Sequence, residues 1–327
     1  MEKETSNIST PMFISSSSID VSVIVVNYNT CKMTSECIDS LFVRTKNIKF
    51  EVILVDNAST DGSKEYFEGD ERVRYVYNYE NIGFGRANNL GMTLARGKYF
   101  FLLNSDTLLL NNAIKIFFDY AEAHNPVAFY GCWLENNIGT YIHSCANLPT
   151  IKSLLINAIS PYKSKINKEN LTSTEIPYCE DLSIKVGYIT GADLFLHHTI
   201  FEKIGGFDHQ FFMYYEESDW QRRSMSKEIY SYCINGPRIK HLVGGSQNKQ
   251  GFNFLKSYYN FMSSSYYVYK HFGRINYFVY RIAYACISLP VICFSRSLSF
   301  SNRLQFLSLI CKSYISLITK SLNMIKK

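Results

Sequence analysis

The last 99 residues of this 327-residue chain contain no aspartate and no glutamate. All 28 acidic residues lie at or before Glu228, together with 21 of the 34 Lys and Arg, and the remaining 13 basic residues fall in the tail. A segment without acids cannot neutralise itself, so it seeks a polyanion, either a nucleic acid or an anionic membrane surface. The apolar and aromatic density of the tail points to the membrane and away from nucleic acid. A CxxC pair is also missing. The nine cysteines are odd in number and scattered, which excludes a disulfide framework, gives no zinc site, and implies a reduced cytosolic compartment. Residues 1–18 are polar and Ser-rich without an apolar run, so no signal peptide is expected there, only a disordered leader. Nor is there an uninterrupted bilayer-length run. Ile275–Ser295 is mostly apolar but is broken by Arg281 and Pro290. That predicts helices lying in the membrane interface rather than spanning it. The alternative is that they pack on the rest of the chain or form a homodimer interface.

What is present is a large core. Hydrophobic residues make up 46% and aromatic residues 15%, which excludes a disordered chain and suits one α/β domain with an appendage. From Val21 onward, short β-branched runs alternate with helical segments, the pattern of a parallel sheet with right-handed crossovers. Strands are expected at about 21–27, 50–56, 73–77, 99–103 and 127–130, and helices at 33–43, from Ser59 as N-cap, 85–95 and 113–124. Residues 133–185, punctuated by Pro149, Pro161 and Pro177, read as long loops. Order returns at Val186–His197, followed by a helix near Thr199–Ile204, an aromatic strand to Tyr215, and a helix opening on Glu216-Glu217-Ser218-Asp219. Three regions result: the leader 1–18, a catalytic-sized unit 19–250, and a basic helical tail 251–327.

Two strand ends carry the chemistry. Val55-Asp56-Asn57-Ala58-Ser59-Thr60-Asp61-Gly62 and Leu103-Asn104-Ser105-Asp106-Thr107 each end an apolar run in carboxylates and small polar residues. In an open α/β sheet, ligands bind beyond the carboxyl ends of the strands. Asp56 and Asp61 can accept bonds from a base or ribose, and Asp106 can hold Mg²⁺ or Mn²⁺ against a diphosphate. Asn81-Ile82-Gly83-Phe84-Gly85-Arg86-Ala87-Asn88 contains Gly-x-Gly, but Asn88 stands where a dinucleotide fingerprint needs its third glycine. The two glycines are read instead as letting the backbone pass under a diphosphate, with Asn88 beside it. Glu216, Glu217 and Asp219, crowded behind aromatic residues, suit a general base with a raised pKa. His241, next to Gly244-Gly245, is a candidate metal or phosphate contact.

In this order the pieces resemble the inverting glycosyltransferases of family 2, with the glycosyltransferase-A fold, and especially their bacterial rhamnosyltransferase-like branch. The motifs are Val26-Asn27-Tyr28-Asn29, Val55–Gly62, Asn81–Asn89, Leu103–Thr107, Gly205-Gly206-Phe207-Asp208, Tyr214–Asp219 and His241–Ser246. The resemblance implies a Rossmann-like, mostly parallel sheet flanked by helices. It also implies a dTDP- or UDP-type sugar donor held by Asn27, Asn29, Asp56, Asn57, Ser59, Asp61, Asn81, Gly83, Gly85, Asn88 and Ser105. Asp106 and His241 would hold the divalent cation. Glu217 stands at the base position, with Glu216 and Asp219 as alternatives. A lipid-diphosphate-linked glycan acceptor, on the cytoplasmic face of a bacterial membrane during O-antigen or capsule assembly, follows by analogy. Asn104 departs from the family by replacing the first Asp of its metal motif, and Glu217 by standing where Asp is commoner. Two other readings remain open: a nucleotide-sugar oxidoreductase or epimerase using the glycine loop, and a sugar-binding relative without catalysis.

Overall fold

The structure, a computed structural model, describes residues 19–159, 183–242, 254–294 and most of 300–308. The leader, the glycine pair at 244–245 and most of the chain beyond 294 lie outside the described residues. The strands are β1 (Val21–Asn27), β2 (Phe50–Asp56), β3 (Arg74–Tyr77), β4 (Tyr99–Asn104), β5 (Thr107–Leu109), β6 (Phe129–Glu135), β7 (Cys145–Ala146), β8 (Ser183–Val186), β9 (Tyr188–Ile189), β10 (Asp193–His197) and β11 (Ser231–His241). The helices are α1 (Cys31–Arg44), α2 (Ser63–Phe67), α3 (Phe84–Leu94), α4 (Ala113–Ala123), α5 (Ile151–Ile159), α6 (His198–Ile204), α7 (Glu216–Met225) and α8 (Phe254–Phe294).

The main sheet runs β3-β2-β1-β4-β10-β6-β11-β5, with β8 beside β11. Its first four strands are parallel, as the βα alternation predicts. From β10 onward the sheet is mixed: β10 is antiparallel to both β4 and β6. The parallel half is the one the βα alternation describes, and β10 enters only after the 133–185 excursion. Alternation along the central strands divides the core between two faces. Val21, Val23 and Val25 of β1 join Tyr99, Phe101 and Leu103 of β4 on the side of α1 and α4. Ile24, Phe100 and Leu102 face the other way, toward α3, α6 and Trp220 of α7. The result is a three-layer α/β/α sandwich.

The described part of region 133–185 is more ordered than a run of loops, since it contains the end of β6, then β7 and α5. No strand forms over 207–215, which runs as turns into α7. The tail contributes a third core. Phe261, Tyr267, Val268, Tyr280 and Tyr284 of α8 bury against Leu154 of α5 and Phe211, and α8 is broken at Gly273, where φ is 86°. Its first half therefore lies on the domain rather than in a membrane interface. Among the described residues, no helix is long and apolar enough to cross a membrane.

Candidate active site

The parallel register sets Asn27 opposite Asp56 and Val26 opposite Asn104, so three polar strand ends share one edge. Backbone strain marks the same edge. Asn29 (φ 55°) and Ala58 (φ 66°) are left-handed without being glycine; such residues persist only where surroundings over-determine them. Here side chains do so. Asp56, fully buried, accepts the Ser59 amide at 2.9 Å and the Tyr75 hydroxyl at 2.7 Å. Asn29 Oδ1 accepts the Thr60 amide at 2.7 Å, and Ser59 Oγ accepts the Asn29 amide at 2.9 Å and Asn27 Nδ2 at 3.1 Å. With its early amides captured this way, the helix cannot begin at Ser59. It begins at Ser63 after a left-handed Gly62.

Asp61 joins two helices. One oxygen accepts the Cys31 amide at the start of α1 (2.9 Å), and the other accepts the Ser63 amide and hydroxyl. Partial burial pushes its pKa up, but these donors outweigh that and hold the carboxyl below its ordinary value. Asn57 ties down the next loop by donating to Asn81 Oδ1 (2.8 Å) and accepting from the Ile82 amide (3.1 Å).

Gly83 and Gly85 stand at close packing contacts. A Cβ on Gly83 would meet the Phe212 carbonyl oxygen, and one on Gly85 the Phe207 Cβ at 2.9 Å and the Glu216 Cβ at 3.6 Å. Their absence lets α3 press against the segment that leads into α7. Asn88 does not reach the edge: it is 1% exposed and donates back to the Phe84 carbonyl at 3.1 Å.

Asp106 and His241 are brought side by side across 135 residues. β5 pairs with β11 so that His241 lies opposite Thr107. The Leu242 amide donates to the Asp106 carbonyl at 2.8 Å, and His241 Nε2 lies 3.1 Å from Asp106 Oδ1. Both side chains keep some exposure. Among the described residues no three metal-ligating side chains cluster. A carboxylate plus an imidazole nonetheless matches what a divalent cation takes from a protein when phosphate oxygens complete its shell. Ser105, beside Asp106, lies 3.1 Å from the Thr30 hydroxyl, and that hydroxyl donates to Asn27 Oδ1 at 2.7 Å. The β1 and β4 ends are joined through this threonine.

The α7 carboxylates separate into two kinds. Asp219 is the paired one. It is fully buried, and Arg223, His271 and Lys270 each approach it to 2.8 Å. Burial raises its pKa, but the His271 hydrogen bond and the Arg223 and Lys270 cations win and bring it down to about 2. Glu217 has no such partner. Burial lifts it to about 7, against a weaker pull from its own helix-terminal amide. Glu216 is 3% exposed, its Oε2 has no hydrogen-bond partner, and burial plus the neighbouring Glu217 push it well above the carboxylate range. Glu216 is therefore the neutral member of the pair, and Glu217 the one that titrates near neutrality.

The helix carrying them is launched from two consecutive left-handed tyrosines, Tyr214 (φ 72°) and Tyr215 (φ 69°), each costing about 1–2 kcal/mol. The tail holds that turn in place: Ser263 Oγ donates to the Met213 carbonyl at 2.7 Å, and Tyr215 packs by Tyr267. On the other side, Gln221 both accepts from and donates to the Ile189 backbone at 2.7 and 2.8 Å. Three residues later Ala192 accepts the Asn104 amide at 3.1 Å. By that path α7 is fastened to β4, the strand that leads to Asp106. Thr30, Tyr75, Gln221, Lys270 and His271 carry no motif, so the sequence reading passes over them.

With this geometry in place, residues 22–177 match the model of the family described as glycosyl transferase family 2. That stretch, a little under half of the chain, is similar to the family 2 glycosyltransferases and lies on the α/β sheet described above. Over 107 residues it is 35% identical to the glycosyltransferase GlyG of Streptococcus pneumoniae serotype 4, covering 31% of this chain and 35% of that one. It is 23% identical over 214 residues to the low-salt glycan biosynthesis hexosyltransferase Agl10 of Haloferax volcanii, covering 64% and 63%. The S. aureus TarS structure superposes with a TM-score of 0.48 at 15% identity, covering 89% of this chain and 48% of that one. The chain thus matches only about a third of GlyG.

Proposed function

We propose that the chain is an inverting glycosyltransferase that moves a sugar from a nucleoside-diphosphate donor to a hydroxyl of a glycan acceptor. The observation that carries this reading is the separation of carboxylates on α7. Burial pushes the Glu217 carboxyl up to about 7, whereas the partners of Asp219, two residues on, bring it down to about 2. A base poised near neutrality is what proton removal from an alcohol requires.

In the reaction, the ionised Glu217 takes the proton of the acceptor hydroxyl. The freed oxygen pair forms the new bond to the anomeric carbon, and the bond from that carbon to the diphosphate oxygen breaks with its electrons. One displacement inverts the anomeric centre, and no covalent enzyme intermediate forms. Asn27, Asn29, Asp56 and Asp61 shape the strand-end turns that receive the nucleotide. Asp106 and His241 would hold Mn²⁺ or Mg²⁺, which when bound neutralises charge growing on the leaving diphosphate. The sequence resemblance adds a dTDP- or UDP-type donor, rhamnose as the first sugar to try, and a lipid-diphosphate-linked acceptor of the O-antigen or capsule type at the cytoplasmic membrane face.

The test is donor binding followed by turnover. Thermal shifts across a panel of nucleoside-diphosphate sugars, with and without Mn²⁺, should single out one donor, and that donor should release its nucleoside diphosphate when a glycan acceptor is added. Protein that binds no nucleotide sugar, or that shows nicotinamide fluorescence instead, rejects the proposal.

A further inference from the structure

We propose that the second half of α8, from Arg274 to Phe294, is a docking face for the surface of an anionic lipid bilayer. This inference does not depend on the sugar-transfer reading.

Ile275, Phe278, Val279 and Ile282 are 80%, 44%, 56% and 59% exposed, and Cys286 is exposed beyond them. Their spacing of three, four and seven residues, continued at eleven, puts them in one stripe along the helix. The opposite side is already spent. Tyr280, Arg281, Tyr284 and Ser288 are 6% exposed or less, and Tyr280 and Tyr284 belong to the core that seals α8 onto the domain. The break at Gly273 matters here, because it lets the first half of α8 serve the domain while the second turns a different side outward. Phe300 and Leu304, beyond α8, are also 76% and 51% exposed. Scattered exposed apolar residues need no explanation, but a continuous stripe does.

Charge selects the occupant. Among residues 254–294, Arg274 at the head of the stripe is exposed, and no acid occurs anywhere in α8. The sequence that follows adds Arg296, Arg303, Lys312, Lys320, Lys326 and Lys327, again with no acid. An apolar stripe on an acid-free cationic segment is what an anionic headgroup layer over acyl chains complements. With no described helix fit to cross a membrane, the helix would lie in the plane of the surface. A second copy of the chain complements it less well, since it would place one cationic segment against another.

The experiment is co-sedimentation of the full chain with vesicles of equimolar phosphatidylglycerol and phosphatidylcholine, compared with pure phosphatidylcholine. The wild type should pellet with the anionic vesicles and be released by high salt. The variant carrying Ile275→Ser, Phe278→Ser, Val279→Ser and Ile282→Ser should bind more than about ten-fold less tightly, with its unfolding temperature and donor binding in solution unchanged. Ile275→Ser alone, at the most exposed position, covers the case in which the quadruple variant does not fold. Wild type left in the supernatant, equal binding to neutral vesicles, or equal binding by the variants overturns the proposal. So does a dimer in solution that the variant splits, because the stripe would then be covered by a second copy.

Discussion

The turn around Asp61 and the first turn of α7 both gather carboxylates at a helix start, yet they treat them oppositely. At Asp61, three donors from Cys31 and Ser63 surround one side chain and keep it ionised. At Glu216 and Glu217, burial outweighs the single donor each finds in its own backbone amide, and both carboxyls are pushed toward the protonated form. Asp219 repeats the first treatment within the same helix as the second, through Arg223, Lys270 and His271. Residue type therefore says little about whether a carboxylate anchors structure or exchanges protons. The count of donors around it decides.

The sharpest way to break this contrast is Glu217→Gln. Turnover should fall about 10²–10⁴-fold, while donor affinity measured by calorimetry stays close to wild type. Near-normal turnover would leave the α7 pair with no catalytic part. Asp219→Asn tests the opposite member. Arg223, Lys270 and His271 would lose their buried partner, at a cost of about 3–5 kcal/mol in urea unfolding, and a loss well below 1 kcal/mol would show that the cluster is not structural.

A pH series separates the two kinds of carboxylate directly. The folded pKa of Glu217, about 7, lies above its ordinary value. Its protonated form is therefore favoured by folding, and that stability is lost as pH rises from about 4.5 through 7. Glu217→Gln should accordingly raise the unfolding temperature at pH 8 and leave it nearly unchanged at pH 4. Wild-type kcat/KM should climb to a plateau with a midpoint near 7, because the base works only when ionised. Asp219 has the reverse sign: its stability is present above about 3.9 and fades as pH falls toward 2.

Smaller effects are expected at the sheet edge. Asp106→Ala and His241→Ala should each abolish the Mn²⁺-dependent part of the thermal shift seen with donor, with little change in the metal-free unfolding temperature. Retention of the metal effect in both would move the cation elsewhere. Tyr75→Phe removes one donor from the buried Asp56 and should cost about 1–3 kcal/mol. A neutral outcome would mean that the turn does not rely on that bond.

Much of the fold was legible before any coordinates. β1 occupies Val21–Asn27 and β2 Phe50–Asp56, where β-branched runs placed them, because alternation between buried faces leaves a local signature. The pairing of strand ends at Asn27, Asp56 and Asn104 follows from parallel topology. The region after Glu135 was harder to read, since β7, α5 and β8 are short and carry little periodicity. The packing demand on the glycine loop was hidden for another reason. Gly83 and Gly85 are required by Phe212 and Phe207, more than 120 residues away in sequence.

By itself the sequence determined the strand-and-helix order, the polar strand ends and the acid-free tail, because these depend on local pattern and composition. Tertiary structure alone decided which carboxylate of α7 is free to exchange a proton. The donors that silence Asp219 include Lys270 and His271 from a helix some fifty residues further on, and the desolvation that lifts Glu217 belongs to the packed chain. Electrostatic environment is a property of proximity in space, and no neighbour along the chain encodes it.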